Sequence, residues 1–143
     1  MQSWNDLISD LGRRLQIPEL EMDEDRCVHL SFGENLAMMM SEDPRFDRLI
    51  LSSIVGQAPE GDPEFVEELL QANLFWQSTD GATLGLDRES RQILLAARVD
   101  AQQAFSPESL EARVQEFVDL TERWIEIVKA LRPAAALPAP VAA

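Results

Sequence analysis

The sequence predicts an α+β domain of order α-β-β-β-α-β-β-α: a five-stranded, mostly antiparallel sheet packed with three helices. Three observations predict it. Two stretches read as short strands broken by tight turns, the pattern of hairpins, and the first opens with period-two alternation from Val28 to Phe32. Two cap–proline–acid triplets, Asp62-Pro63-Glu64 and Ser106-Pro107-Glu108, each open a run of helical periodicity. The strands come in consecutive groups and do not alternate singly with helices, so one sheet must bury a face against helices.

In the first helix Trp4, Leu7, Ile8, Leu11 and Leu15 form an apolar stripe. Ser3 is its expected N-cap, with Asp6 in the place of the usual capping-box Glu, and Pro18 is expected to end it. Gly12 lowers helix propensity and would permit a close contact. The first strand carries Val28, Leu30 and Phe32 on one face and His29 and Ser31 on the other. A turn at 33–35 leads to a second strand at 36–40, and a turn at 41–44 leads to a third at 45–55, with Leu49, Leu51 and Ile54 facing the core. The second helix is expected from Asp62 to about Trp76. A strand at 82–87, a turn at 87–90 and a strand at 91–99 make a second hairpin. The last helix follows Ser106, with Leu110, Val114, Phe117, Trp124, Val128 and Leu131 at steps of three, four and seven. Acids crowd its first two-thirds, and Lys129 and Arg132 close it, as the helix dipole favours. Residues 1–132 therefore read as one domain and 133–143 as a flexible Ala/Pro-rich tail.

Charge narrows the partners. The 143 residues hold 26 acids against 12 bases, a formal net charge of -14. A field of that sign repels phosphate backbones and anionic membrane surfaces, so neither nucleic acid nor membrane is an expected partner, and a basic or amphipathic protein is. Cys27 is the single cysteine, which rules out an intrachain disulfide and fits a reducing compartment. The first 15 residues have no signal-peptide core, and no run approaches the roughly 20 apolar residues that span a bilayer. A cytoplasmic protein is expected.

Catalytic chemistry finds little support. His29 is the one histidine, and it shares a strand face with Cys27, without an evident orienting group for a Cys–His pair. Zinc sites of four Cys and His ligands are excluded by count. Asp23-Glu24-Asp25 lacks the calcium-loop pattern, and no phosphate-binding glycine motif is present. No catalytic residue, metal ligand or cofactor is assigned, and the chain is not expected to be an enzyme.

One string adds a family. Leu69-Leu70-Gln71-Ala72-Asn73-Leu74-Phe75-Trp76, a loop, Ala82-Thr83-Leu84-Gly85-Leu86-Asp87 and then Ile93-Leu94-Leu95 resembles the signature of class I type III secretion chaperones, the Tir chaperone (CesT-type) family. There a helix ending Leu-Leu-x-Ala-Asn precedes a strand reading Gly-Leu-Asp. The resemblance implies a secretion-chaperone fold and a homodimer without cofactor. It further implies binding of the non-globular N-terminal segment of one or more secreted effectors, which are kept soluble, and a contact with the secretion ATPase. Carried onto this sequence, the dimer interface would involve Phe65, Leu69, Leu70, Asn73, Trp76, Leu84 and Leu86. The effector surface would involve Trp4, Leu7, Ile8 and Leu11 with Leu36, Met38, Met40, Leu49 and Leu51, and a sheet edge could take an added strand. Methionines suit a variable apolar partner, yet a run such as 38–40 is more often core than groove, and Trp4 more often packs than binds. Phe75 and Trp76 point to burial, in the monomer or in a dimer seam. The alternative function is an acidic regulatory protein that sequesters a basic partner such as a transcriptional regulator.

Overall fold

The protein is described by a computed structural model that covers residues 3–104 and 106–137. Within them the order is α1 (Trp4–Arg14), β1 (Cys27–Phe32), β2 (Leu36–Asp43), β3 (Arg48–Gln57), α2 (Pro63–Asn73), β4 (Thr83–Leu86), β5 (Gln92–Asp100) and α3 (Pro107–Leu131). The strands form one sheet in the order β1-β2-β3-β5-β4, with every neighbouring pair antiparallel. The fold class, the number of strands and the order of elements are those expected from the sequence.

Each helix starts where its cap dictates. Ser3 and Asp6 form a reciprocal capping box, and the side chains of Asp62 and Ser106 accept hydrogen bonds from Phe65 and Ser109 N–H. Such a cap contributes about 1 kcal/mol. Asp62 serves twice, because its second oxygen accepts from Arg132 Nε at 2.8 Å, which ties the end of α3 to the start of α2. α1 stops at Arg14, before Pro18, and Gly12 explains the following loop. A Cβ at Gly12 would stand 2.6 Å from Leu20 Cβ and 2.8 Å from the Ile17 carbonyl, so only glycine lets the loop fold back so closely.

α3 lies across β3 on one face of the sheet, α1 packs on α3, and α2 runs beside β4. The core between them holds Ile8, Leu11, Met40, Leu49, Leu51, Val55, Phe65, Ile93, Leu95, Leu110, Val114 and Val128, all fully buried. One polar pair sits inside it. Thr121 Oγ1 donates to Phe117 C=O at 2.8 Å, as a helical Thr can, and so accepts from Ser53 Oγ at 2.8 Å. The pair is satisfied, and it fixes α3 over β3 at a net gain of about 1 kcal/mol.

Several expectations are corrected, and β2 runs on to Asp43 where a turn at 41–44 was expected. β3 begins at Arg48 and not at residue 45, because Asp43 accepts from Arg45 N–H and the Arg45 and Arg48 side chains and so folds 44–47 into a turn. Ile54 faces away from the core, since Leu49, Leu51, Ser53 and Val55 share the buried face of β3. The tail starts docked: Pro133–Ala135 forms a 3-10 turn, Ala135 is buried, and its carbonyl lies over Gly56. The rest of the expected tail, 138–143, lies outside the described residues.

Candidate functional site

Trp4, Leu7, Ile8 and Leu11, expected from the family resemblance to meet an effector, are all buried on the core side of α1. Trp4 also donates from Nε1 to Asp47 Oδ1 at 3.0 Å. Leu36, Met38, Met40, Leu49 and Leu51 lie on the sheet face beneath the helices and are buried too. An apolar stripe shows that a face is covered without showing what covers it, and here the protomer covers all nine. A charge at Leu7 or Leu11 would break the core instead of a contact.

The seven dimer candidates divide. Phe65 and Leu69 are buried between α2 and the core, Leu84 is buried in β4, and Leu86 is half-buried. Asn73 works as a clamp: Nδ2 donates to the Leu84 carbonyl and Oδ1 accepts from Leu84 N–H, both at 2.8 Å. Its amide thus imitates a neighbouring strand and closes the outer edge of β4 at that residue. Leu70 and Trp76 are exposed, at 65% and 56%, and so are two residues outside the seven, Leu74 at 53% and Phe75 at 74%, so neither Phe75 nor Trp76 is buried within the protomer. Their signal was present in the apolar run 74–76, but helical continuation to Trp76 would have hidden it.

α2 ends at Asn73 and a tight turn, Leu74–Trp76, follows. Phe75 and Trp76 take left-handed φ values of 57° and 55°. For residues with a Cβ this costs roughly 1–2 kcal/mol each. The turn is held by the Asn73 clamp on one side and by Gly81 N–H donating to the Trp76 carbonyl at 3.2 Å on the other. It directs two aromatic side chains outward. Trp76 borders an open depression on the outer sheet face, with Ile50, Thr83, Ala96 and Arg98. Ile50, Ile54, Leu94 and Ala96 on that face are only half-buried. Leu70, Leu74, Phe75 and Trp76 are thus exposed apolar side chains within seven positions of the chain, and Trp76 borders this face; exposed apolar clusters of this kind mark protein contacts.

The two sheet edges differ. β4 is closed at its middle by Asn73, whereas β1 is open at His29 and Ser31: among the described residues, no other part of the chain hydrogen-bonds their outward backbone groups.

The titratable groups do structural work. Burial disfavours the Asp43 carboxylate, but hydrogen bonds from Arg45 and Arg48 outweigh it and hold its pKa below the usual range. Arg132 lowers Asp62, and the Ser90 hydroxyl with Glu89 N–H lowers Asp87. Burial, with Asp23 and Asp25 close by, pushes the Cys27 thiol up, so it is a poor nucleophile at neutral pH. Among the described residues no group of three or more His, Cys, Asp or Glu could hold a metal ion, and no helix is long and apolar enough to cross a membrane.

A domain that offers an open strand edge and an exposed aromatic turn is built to bind protein. The chain belongs to the Tir chaperone protein (CesT) family, whose profile matches residues 6–125. It is similar to the Tir chaperone of Escherichia coli, with 26% identity over 123 residues that cover 85% of this chain and 78% of that protein. The Tir chaperone of Citrobacter freundii is 24% identical over 116 residues, 81% of this chain and 73% of that one. Among solved structures, a chain of the ExsC–ExsE complex superposes with a TM-score of 0.74 at 25% identity, covering 85% of this chain and 90% of its own. A chain of the HopA1–SchA chaperone–effector complex gives 0.68 at 23%, covering 84% and 91%, and supports the fold alone.

Proposed function

We propose that the chain is a cytoplasmic type III secretion chaperone that holds the non-globular N-terminal segment of a secreted effector, soluble and ready for export, and that it acts as a homodimer. Membership of the chaperone family carries the reading. The exposed surfaces support it, since binding an unfolded segment needs apolar area and free backbone partners and no chemical step. The net charge of -14 keeps such surfaces soluble and favours basic cargo. The secretion ATPase is a further partner of the same reading.

The dimer seam is assigned to Leu70, Leu74, Phe75 and Trp76 packing on the outer sheet face of a second copy. Leu70→Asp and Trp76→Asp are expected to halve the mass seen by light scattering while the far-UV circular dichroism stays native; an unchanged mass removes this surface from the seam. For function, the chain is co-expressed with effector candidates encoded beside it. A complex of two copies with one effector N-terminal segment is the expected product. A monomer that retains no such segment refutes the chaperone reading.

A further inference from the structure

We propose that the notch where β4 stops short of β5 binds a primary carboxamide, the side chain of an Asn or Gln in the segment the protein holds, through the backbone N–H and C=O of Arg98. The inference rests on the chaperone reading and deepens it, by assigning one contact and its chemistry.

The vacancy follows from the ladder. β4 begins at Thr83, opposite Ala96, while β5 runs on to Asp100. Leu84 turns both backbone groups to Asn73 and so away from β5, which makes Thr83–Ala96 and Gly85–Leu94 the bonded pairs. Gln92, whose carbonyl accepts from Asp87 N–H at 2.9 Å, has the same parity. Arg98 and Asp100 therefore also turn their backbone groups to the β4 side, past its end. At Asp100 both are taken: the N–H donates to Gln103 Oε1 at 3.0 Å, and the carbonyl accepts from Gln103 N–H at 2.9 Å. At Arg98 neither has a partner among the described residues. The chain before β4 is drawn off the sheet, because Gly81, at φ 88°, donates its N–H to the Trp76 carbonyl and Ala82 N–H donates to the Thr79 carbonyl at 3.0 Å. The turn that exposes Trp76 thus leaves Arg98 open.

The shape of the vacancy selects the occupant. Arg98 lines a cavity of about 340 Å³, together with Asp80 and Gly81 and with the buried side chains of Leu51, Val99, Phe117 and Leu120. A passing strand does not fit, since Thr83 fills the pairing position at Ala96 and Gln103 fills the one at Asp100. Between them there is length for one pairing group. One free N–H and one free C=O on the same residue are matched by a primary carboxamide, whose N–H and C=O lie side by side. A trans peptide group sends its two in opposite directions. The same chain supplies the precedent, because the Asn73 carboxamide spans Leu84 in this way with both bonds at 2.8 Å. A carboxylate lacks the donor for the Arg98 carbonyl, and an ammonium lacks the acceptor for its N–H. The buried apolar side chains suit the methylene stem that carries a carboxamide.

The test follows backbone N–H resonances by NMR in the isotope-labelled full-length chain, titrated with butyramide, N,N-dimethylbutyramide and butyrate. Butyramide is expected to give a saturable downfield shift at Arg98, with smaller changes at Gly81 and Val99. The dimethyl amide keeps the acceptor and loses both donors, so it should bind about two- to tenfold more weakly, and butyrate likewise. Arg98→Ala keeps the backbone pair and should bind butyramide as the wild type does. Arg98→Pro deletes the free N–H without touching the β3–β5 ladder, and should lose the shifts at Gly81 and Val99. Equal affinity for all three compounds, or no localised shift, overturns the proposal and leaves water as the occupant of the notch. Loss of binding in Arg98→Ala overturns it too, by making the guanidinium the recognising group. In the complex with the effector segment, Arg98 N–H should exchange with solvent at least about tenfold more slowly than in the free chain. Changing one Asn or Gln of the segment to its acid should restore the free rate. If the complex forms and no such change has an effect, the notch assignment falls and the chaperone reading stands. If butyramide binds but no effector segment does, the chaperone reading falls, and with it the segment as source of the carboxamide. If neither binds, both fall.

Discussion

Asn73→Ala should destabilise the protein well beyond what an exposed helix-end substitution does. The side chain makes two hydrogen bonds of 2.8 Å to Leu84, one to each backbone group. Truncation leaves both groups unpaired at the edge of β4. A hydrogen bond is worth about 0.5–1.5 kcal/mol net, so the two together give about 1–3 kcal/mol. Water reaches this half-buried edge and recovers part of that, so about 2 kcal/mol is the expected loss. At about 2.1 cal/mol/K per residue, the 143-residue chain has an unfolding entropy near 0.3 kcal/mol/K, and the midpoint should fall by about 7 °C. The assay is thermal unfolding followed by circular dichroism, at one fixed protein concentration because a dimer's midpoint depends on it. Asn73→Asp refines the test. Near neutral pH it keeps an acceptor for Leu84 N–H but sets a charged oxygen against the Leu84 carbonyl, so it should be at least as damaging as alanine. Its carboxyl then has a raised native pKa, and protonation as the pH falls supplies an O–H donor, so the loss should shrink in acid. A midpoint for Asn73→Ala within about 2 °C of the wild type would refute the clamp.

Gly12→Ala separates local propensity from packing by sign. Propensity alone predicts a gain of about 1 kcal/mol in a helix. The Leu20 Cβ and Ile17 carbonyl, 2.6 and 2.8 Å from the new Cβ, predict a loss of about 1–3 kcal/mol by urea unfolding. The acid limb of stability tests the two structural carboxylates. Asp43 and Asp62 have native pKa values below their ordinary range. Their stabilisation is therefore present above about pH 4 and is lost as the pH drops through those depressed values. Asp43→Asn should lower stability at neutral pH and make the acid limb shallower; an unchanged slope would show that its arginine partners do not act in solution.

Much of the fold was legible because its signals are local. The caps at Ser3, Asp62 and Ser106, the stripe of α1 and the alternation of β1 each depend on residues within a few positions, and each appears where expected. The string that ends α2 was legible as a family signature, while its physical basis was not. Asn73 works through Leu84, eleven positions on, and only the folded chain shows that its amide substitutes for a strand. Ile54 was misplaced for a related reason. Ser53 takes the core position beside it, which a polar residue can do only because Thr121, 68 positions away, satisfies its hydroxyl.

The sequence by itself determined the class of the domain, its element order, its acidity and its family likeness. It also marked which residues are apolar enough to be covered. What covers them was decided by tertiary structure alone. The apolar faces of α1 and β2 are closed by the protomer's own helices and sheet, whereas Leu70, Leu74, Phe75 and Trp76, no less apolar, are left outside. Periodicity records a face that avoids water, and it is the same whether the cover comes from α3 or from another chain. The distinction arises only when long-range register sets which faces meet.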